Sequence, residues 1–318
     1  MPTGSGFVFG PVRSRRLGWS LGINNVPAKT CTYSCVYCQL GRTDRARVVR
    51  SRFHDPAHIV AAVSDRLLAC RAAGQPVDYA TFVPDGEPTL DHGLGETIRA
   101  IQGLGIRVAV LTNGSLLWQS DVRADLASAD LVSVKVDAVR EETWREIDRP
   151  IGTLRHVTVL EGLRHFAAEY AGSLLTETML VAGLNDGDAD VRATADFVDA
   201  LEPVHAFVAI PTRPPAEAWV RAPTMDAARC VCDRFRAYWV PTSCLLEETD
   251  ERAAPFAVSP NAAAGLLAIV AVHPMTESAA RDYLERAGAG WSIAEALLEE
   301  RRVVAVRHGG RTFLRAAR

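Results

Sequence analysis

Three cysteines fall within eight residues, Cys31-Thr-Tyr-Ser-Cys35-Val-Tyr-Cys38, in the spacing C-x3-C-x2-C. Three thiolates on one short loop can wrap one face of a cubane iron–sulfur cluster. Three ligands for four irons leave one iron open. An open metal position can take a ligand's amino and carboxylate groups much as an open zinc site takes water. A structural zinc site is the competing reading. It asks for four protein ligands, usually in paired C-x2-C knuckles, and the chain has no second pair of that spacing. The other four cysteines are poorer candidates. Cys70 lies in a helical run and reads as core. Cys230 and Cys232 are two apart on an expected helix, so they point to different faces and would serve an auxiliary cluster with Cys244 badly. All three are expected as small buried hydrophobes. The cysteine total is odd and no apolar leader precedes them, so a disulfide framework is not expected.

Other residues with chemical potential follow short apolar runs. Gly86-Glu87-Pro88 comes after Tyr79–Val83, and Thr112-Asn113-Gly114 after Arg107–Leu111. The run Ser133-Val-Lys135-Val-Asp137 puts Ser133, Lys135 and Asp137 on one face of a strand, because strand side chains alternate. Burying Lys135 is unfavourable unless it is paired, and Asp137 is the nearest partner in sequence. No Ser/His/Asp or zinc-hydrolase motif accompanies them.

Positioning these residues requires a repeated scaffold. After a basic N-terminal segment expected to be irregular (1–24), β-type runs alternate with helical runs. Strands are expected near Asn25 and at 79–83, 107–111, 131–136, 174–180 and 206–210. Helices are expected at 94–104, 120–129, 156–170, 188–201 and 225–238. Strands alternating with helices of 10–15 residues indicate βαβ units and a parallel sheet. About six units fit residues 25–247 as a full or partial β/α barrel, whose chemistry sits at the C-terminal ends of the strands. Residues 248–260, with Pro255 and Pro260, read as a linker. In 261–318 three short helices precede two short strands joined by His308-Gly309-Gly310, and Gly-Gly signals a tight turn. That order describes a small winged helix-turn-helix-like module.

The 318 residues are 48% hydrophobic and 23% charged, ordinary for a globular protein. The longest apolar helical run, 262–272, is too short to span a bilayer, which needs roughly 20 residues. A cytoplasmic location with no membrane partner is expected. The net charge is −3, yet residues 1–52 carry nine basic residues against Asp44 alone, and residues 301–318 carry six arginines and no acid. Basic stretches at Arg13, Arg15, Arg16, 42–52 and the C-terminus could steer an anionic substrate or RNA.

Taken together, the C-x3-C-x-(aromatic)-C loop with Tyr37, the GEP and TNG turns and the SVKVD strand resemble the signature of the radical S-adenosylmethionine (SAM) superfamily. The resemblance covers about residues 10–245. It implies a partial (β/α)6 barrel. It also implies a [4Fe-4S] cluster on Cys31, Cys35 and Cys38, and SAM bound by Tyr37, Gly86, Glu87, Pro88, Asn113, Ser133, Lys135 and Asp137. Tyr37 would pack near the adenine, the GEP backbone would accept the SAM amino group, and the residues of the SVKVD strand would bind the carboxylate or ribose. Reductive cleavage of SAM would give a 5′-deoxyadenosyl radical that abstracts hydrogen from a substrate, with flavodoxin or ferredoxin as the kind of electron donor. The stretch GPVRSRRLGWSLGINNVPAKTCTYSCVYCQLGRT, the later PTRPPAEAWV and the C-terminal module resemble prokaryotic Fe–S oxidoreductases related to the wyosine-forming tRNA enzymes. Those enzymes carry extra N-terminal cysteines, and no cysteine precedes Cys31 here. Two alternatives stand beside a radical SAM enzyme of unassigned substrate. One is a radical SAM enzyme that modifies tRNA or RNA. The other is an iron–sulfur regulator that binds DNA through the C-terminal module.

Overall fold

Each parallel strand carries apolar residues on both faces, the pattern of a sheet covered by helices on one side and curled around an interior on the other. In the computed structural model, which describes residues 7–246, 256, 258, 259 and 261–317, the elements run β1 (Val8–Ser14), β2 (Gly18–Ile23), β3 (Thr30–Cys31), β4 (Arg45–Ala46), α1 (Pro56–Ala72), β5 (Tyr79–Phe82), α2 (Leu94–Gln102), β6 (Arg107–Thr112), α3 (Ser120–Leu126), β7 (Leu131–Lys135), α4 (Glu141–Ile147), α5 (His156–Glu169), β8 (Ser173–Met179), α6 (Asp188–Asp199), β9 (His205–Ala209), α7 (Met225–Arg236) and β10 (Thr242–Leu245). The main sheet has the order β1-β2-β5-β6-β7-β8-β9-β10. β1 is antiparallel to β2, and β2 to β10 are parallel. β1 and β10 form its edges, so the barrel is open: of the full and partial forms that the spacing allowed, it is the partial one that the resemblance implies.

Two expectations need correction. The segment 1–24 is not irregular from residue 8 onward: it forms the β1–β2 hairpin and supplies the first parallel strand, which ends two residues before Asn25. A seventh parallel strand, β10, joins the six foreseen; its sequence TSCL is short and polar and carries little strand signal. The expected linker lies almost wholly outside the described residues.

Alternation sorts the side chains. Val108, Val110, Val132, Val134, Leu174, Ala206 and Val208 point outward into the main core with the helices. Helix α1 shows the other half of that packing. Asp55 caps its first turn, Pro56 opens it, and Ile59, Val63, Leu67 and Cys70 form its buried stripe. On the opposite face Ala109, Leu131, Leu175, Phe207, Ala209 and Leu245 pack together with Leu17 from the β1–β2 turn. That turn therefore reaches from one edge of the sheet across the concave side.

The C-terminal part contains α8 (Ala262–Val272), β11 (Met275–Thr276), α9 (Glu277–Arg286), α10 (Ser292–Glu299), β12 (Val303–His308) and β13 (Arg311–Ala316). It has the three helices and the hairpin read from the sequence, with β11 added to a sheet of order β11-β13-β12. His308 pairs with Arg311 across Gly309 and Gly310, which both take positive φ (53° and 76°), as a two-residue turn demands. The module has its own core, centred on Leu266, Val270, Tyr283, Leu284 and Leu314, and Val12 of β1 packs against it. Among the described residues no helix is long and apolar enough to cross a membrane.

Candidate active site

The cysteine loop starts on β3 and is held from several sides. The Val36 amide donates to the Ile147 carbonyl (2.8 Å) and the Ser34 amide to the Asp148 carbonyl (3.0 Å), so the end of α4 backs the loop. Cys31, Cys35 and Cys38 are free thiols, each partly accessible. Asn113 Nδ2 lies 3.6 Å from Cys31 Sγ, and Lys29 Nζ 3.9 Å from Cys38 Sγ. Cys35 Sγ meets Asp148 Oδ1 at 3.3 Å. Burial, reinforced by the Glu87 charge, pushes the Cys31 thiol up to about 12, so thiolates here need a compensating metal charge. Among the described residues no group of three or more His, Cys, Asp or Glu side chains is gathered to hold a lone metal ion. Three free thiols on one loop, two with N–H groups beside the sulfur, are instead a donor set that fits an iron–sulfur cluster.

The GEP and TNG turns meet at this loop. Gly86 bridges to Thr30, and a Cβ on it would overlap the Thr30 carbonyl oxygen, so the close approach requires glycine. Glu87 is buried. Its Oε1 accepts from the Thr89 amide (3.0 Å), the Thr89 hydroxyl (2.6 Å) and the Thr112 hydroxyl (2.6 Å); its Oε2 accepts from the Asn113 amide (2.8 Å). The carboxylate therefore caps the single 3-10 turn Pro88–Leu90 and ties it to the end of β6. Burial raises its pKa, and these four donors oppose the rise. Asn113 accepts from the Ser115 amide (3.0 Å), an Asx turn, while its Nδ2 donates to Thr32 Oγ1 (2.7 Å) beside Cys31. One carboxylate and one amide thus join three motifs that together span residues 31–114.

The SVKVD strand supplies a second network on the concave face. Ser133 is buried there between Leu131 and Lys135. Lys135 Nζ sits 3.2 Å from Asp137 Oδ1 and 3.1 Å from Glu177 Oε1, so the expected pair exists and is shared. Arg16, from the β1–β2 turn, also pairs with Glu177. Asp137 accepts from the Met179 amide (2.7 Å) and from the Tyr37 hydroxyl, and Lys135 lies 4.9 Å from the Tyr37 ring centroid. Tyr37 therefore joins the cysteine loop to this network. Burial raises the Glu177 pKa, but Arg16 and Lys135 outweigh it and hold the group at about 2.

Several of these partners are absent from the sequence reading: Asp148, Glu177, Thr32, Lys29 and the role of Arg16. Glu177 could have been found from register, because Lys135 pairs with it across β7 and β8. Lys29 adopts a positive φ of 58° and donates to the Gly41 carbonyl (2.6 Å), closing the loop that holds Cys38. In the basic stretch 42–52, three of the five arginines are matched by acids. Arg50, with its side chain 3% exposed, meets Asp121 (2.6 Å) and Asp125; Arg42 meets Glu217 (2.8 Å) and Arg52 meets Glu96 (2.9 Å). The other cysteines also depart from expectation. Cys232 and Cys244 form a disulfide between the inner face of α7 and β10, where their Cα atoms are 6.1 Å apart. Cys230 is exposed, pointing away from Cys232 as its spacing required, and Cys70 is buried core.

Comparison with known proteins agrees with this geometry. Residues 25–198 match the sequence profile of the Radical SAM superfamily. A UPF0026 protein of Methanocaldococcus jannaschii is 37% identical over 305 residues, covering 96% of this chain and 94% of that protein. A UPF0026 protein of Helicobacter pylori is 32% identical over 210 residues, 65% of this chain and 67% of its own length. The fold is similar to that of a radical SAM methyltransferase from Sphaerobacter thermophilus (TM-score 0.55, 18% identity, 75% of this chain and 71% of that one). It is also similar to that of TYW1 with a lysine-pyruvate adduct bound (TM-score 0.50, 15% identity, 69% and 73%). The chain belongs to the Radical SAM superfamily and to the UPF0026 family, and it is a radical SAM enzyme.

Proposed function

We propose that Cys31, Cys35 and Cys38 hold a [4Fe-4S] cluster and that SAM binds beside it, along Tyr37, Gly86, Glu87, Pro88, Asn113, Ser133, Lys135 and Asp137. When bound and reduced by a donor of the flavodoxin or ferredoxin kind, the pair supplies reductive cleavage of SAM and a 5′-deoxyadenosyl radical that takes hydrogen from a substrate. The chain's own part is to orient and shield. Glu87 fixes the GEP and TNG turns relative to Cys31, leaving their remaining backbone groups as a preformed surface for the amino acid end of SAM. Lys135, matched in charge by Asp137 and Glu177, has a third N–H left to donate to a carboxylate or ribose oxygen of SAM. The apolar floor of Leu131, Leu175 and Phe207 keeps water from the concave side.

The junction at Glu87, whose buried carboxylate ties the GEP and TNG turns while Asn113 links them to the cysteine loop, is the observation that carries this reading. The test is anaerobic: reconstitute with iron and sulfide, add SAM and dithionite, and analyse the fragments by mass spectrometry. 5′-Deoxyadenosine is expected; methylthioadenosine would indicate aminocarboxypropyl transfer instead. Replacing Cys31, Cys35 or Cys38 by Ala should each abolish the iron–sulfur absorbance near roughly 400 nm. A full cluster retained in all three variants would sink the assignment. The alternative of an RNA-modifying enzyme draws support from the basic C-terminal hairpin. A DNA-binding regulator has no use for the Glu87 junction.

A further inference from the structure

A cleft of about 650 Å³ opens between the loop that follows β9 and the turn of the C-terminal hairpin. Its walls carry Arg221 on the barrel side and Arg307, His308 and Arg311 on the hairpin side, and among the described residues no Asp or Glu lines it. Arg221 is aimed by backbone oxygens: its Nη1 donates to the carbonyls of Ala218 (2.5 Å) and Val220 (2.9 Å), which fixes the guanidinium without neutralising it. Arg307 has no carboxylate partner among the described residues. At the tip, Gly309 and Gly310 have open space where side chains would stand, which keeps the mouth clear.

Among the described residues every ionic side chain in the lining is a cation, and such a cleft focuses positive potential. The guanidinium groups of Arg221 and Arg307 have planar forks that match the oxygens of a phosphate dianion or diester. The cleft also adjoins the cysteine loop through the chain. Within five residues, the Glu217 amide donates to the Val36 carbonyl (3.0 Å), the Glu217 carboxylate pairs with Arg42 and Arg149, and Arg221 lines the cleft.

We propose that this cleft binds a phosphate ester and anchors the substrate of the radical reaction, a step that rests on the radical SAM reading above. The substrate is then a phosphorylated compound, either a free small molecule or the backbone of an RNA.

The test titrates the full chain by calorimetry, without SAM or reductant, using pyrophosphate in one arm and a single-stranded RNA 12-mer in the other. One of the two probes should bind, with affinity falling steeply between about 50 and 200 mM salt. Arg307→Glu should weaken that binding by about tenfold or more, whereas Arg71→Glu, the same charge change on exposed α1, should leave it within about twofold. Pyrophosphate binding alone would identify a small phosphorylated substrate, and RNA binding with weak pyrophosphate a polyanionic one. Failure of both probes at millimolar concentration, or equal losses in the two variants, would overturn the proposal. 5′-Deoxyadenosine formation by the wild-type chain is measured separately. Its absence would remove the radical reading while the titration still decides whether the cleft takes phosphate.

Discussion

Arg42, Arg50 and Arg52, which follow the cysteine loop, each meet a carboxylate, whereas Arg221 and Arg307, on facing walls of the C-terminal cleft, have no acid in the lining around them among the described residues. Both stretches are dense in arginine, and a count of charges along the chain cannot tell them apart. The difference lies in what the fold brings opposite. Helices α2 and α3 and the loop after β9 present Glu96, Asp121, Asp125 and Glu217 to the first group. Potential at a surface follows unpaired charge, so the first group acts as mortar and the second stays available to an anion.

Arg50 is the sharpest case of the mortar role. Besides Asp121 and Asp125, it donates to the carbonyls of Thr89 (2.8 Å) and Asp91 (3.0 Å), tying the chain after the cysteine loop to the 3-10 turn that follows Glu87. Arg50→Ala would leave two carboxylates and two carbonyls without their donor, and should cost about 3–5 kcal/mol in urea unfolding. A loss below about 1 kcal/mol would mean that Arg50 behaves like the unpaired arginines and that the contrast is false.

Glu177 tests the same idea from the acid side. Its folded pKa of about 2 lies below the ordinary 4.5, so its ionised form stabilises the folded chain. The sign follows: this stability is fully present above about 4.5 and is lost as pH falls toward about 2, by an amount on the order of a few kcal/mol. Glu177→Gln should flatten the wild-type stability curve across that window. An unchanged curve would mean that Arg16 and Lys135 do not engage it.

Glu217 should show a smaller effect, read at the cysteine loop rather than in global stability. Its carboxylate bridges Arg42 and Arg149 at 2.8 and 2.6 Å, and Glu217→Gln keeps the shape while removing the charge. Iron should then leave the reconstituted protein faster in the presence of a chelator. An unchanged rate would separate the clamp from the cluster loop.

What was legible in the sequence follows the range of each interaction. The C-x3-C-x2-C loop, the GEP and TNG turns and the alternation at Ser133, Lys135 and Asp137 are local patterns, visible in the sequence without knowledge of the fold. Asp148 and Glu177 are single acids whose meaning comes from partners more than 40 residues away, Cys35 for one and Lys135 for the other. The β1–β2 hairpin was hidden by its arginines and glycines, although Leu17 and Arg16 at its turn reach β8 and β9 across the concave face. The Cys232–Cys244 disulfide was hidden for a related reason: it needs β10, a strand of four half-polar residues, to be recognised first.

The cleft arginines close the comparison, because an unpaired surface cation should contribute almost nothing to folding. Arg307 stands on an exposed position of β12, and its removal uncovers no buried acceptor. Arg307→Ala should therefore shift stability by no more than about 0.5 kcal/mol in urea unfolding, against the several expected for Arg50→Ala. The two variants delete the same side chain, so the contrast isolates placement from residue type. A gain in stability for Arg307→Ala would strengthen the case, since like charges held together without a counter-ion repel. A loss as large as that of Arg50→Ala would mean that Arg307 is engaged in the fold, and the cleft would then lack the free cation that phosphate binding requires.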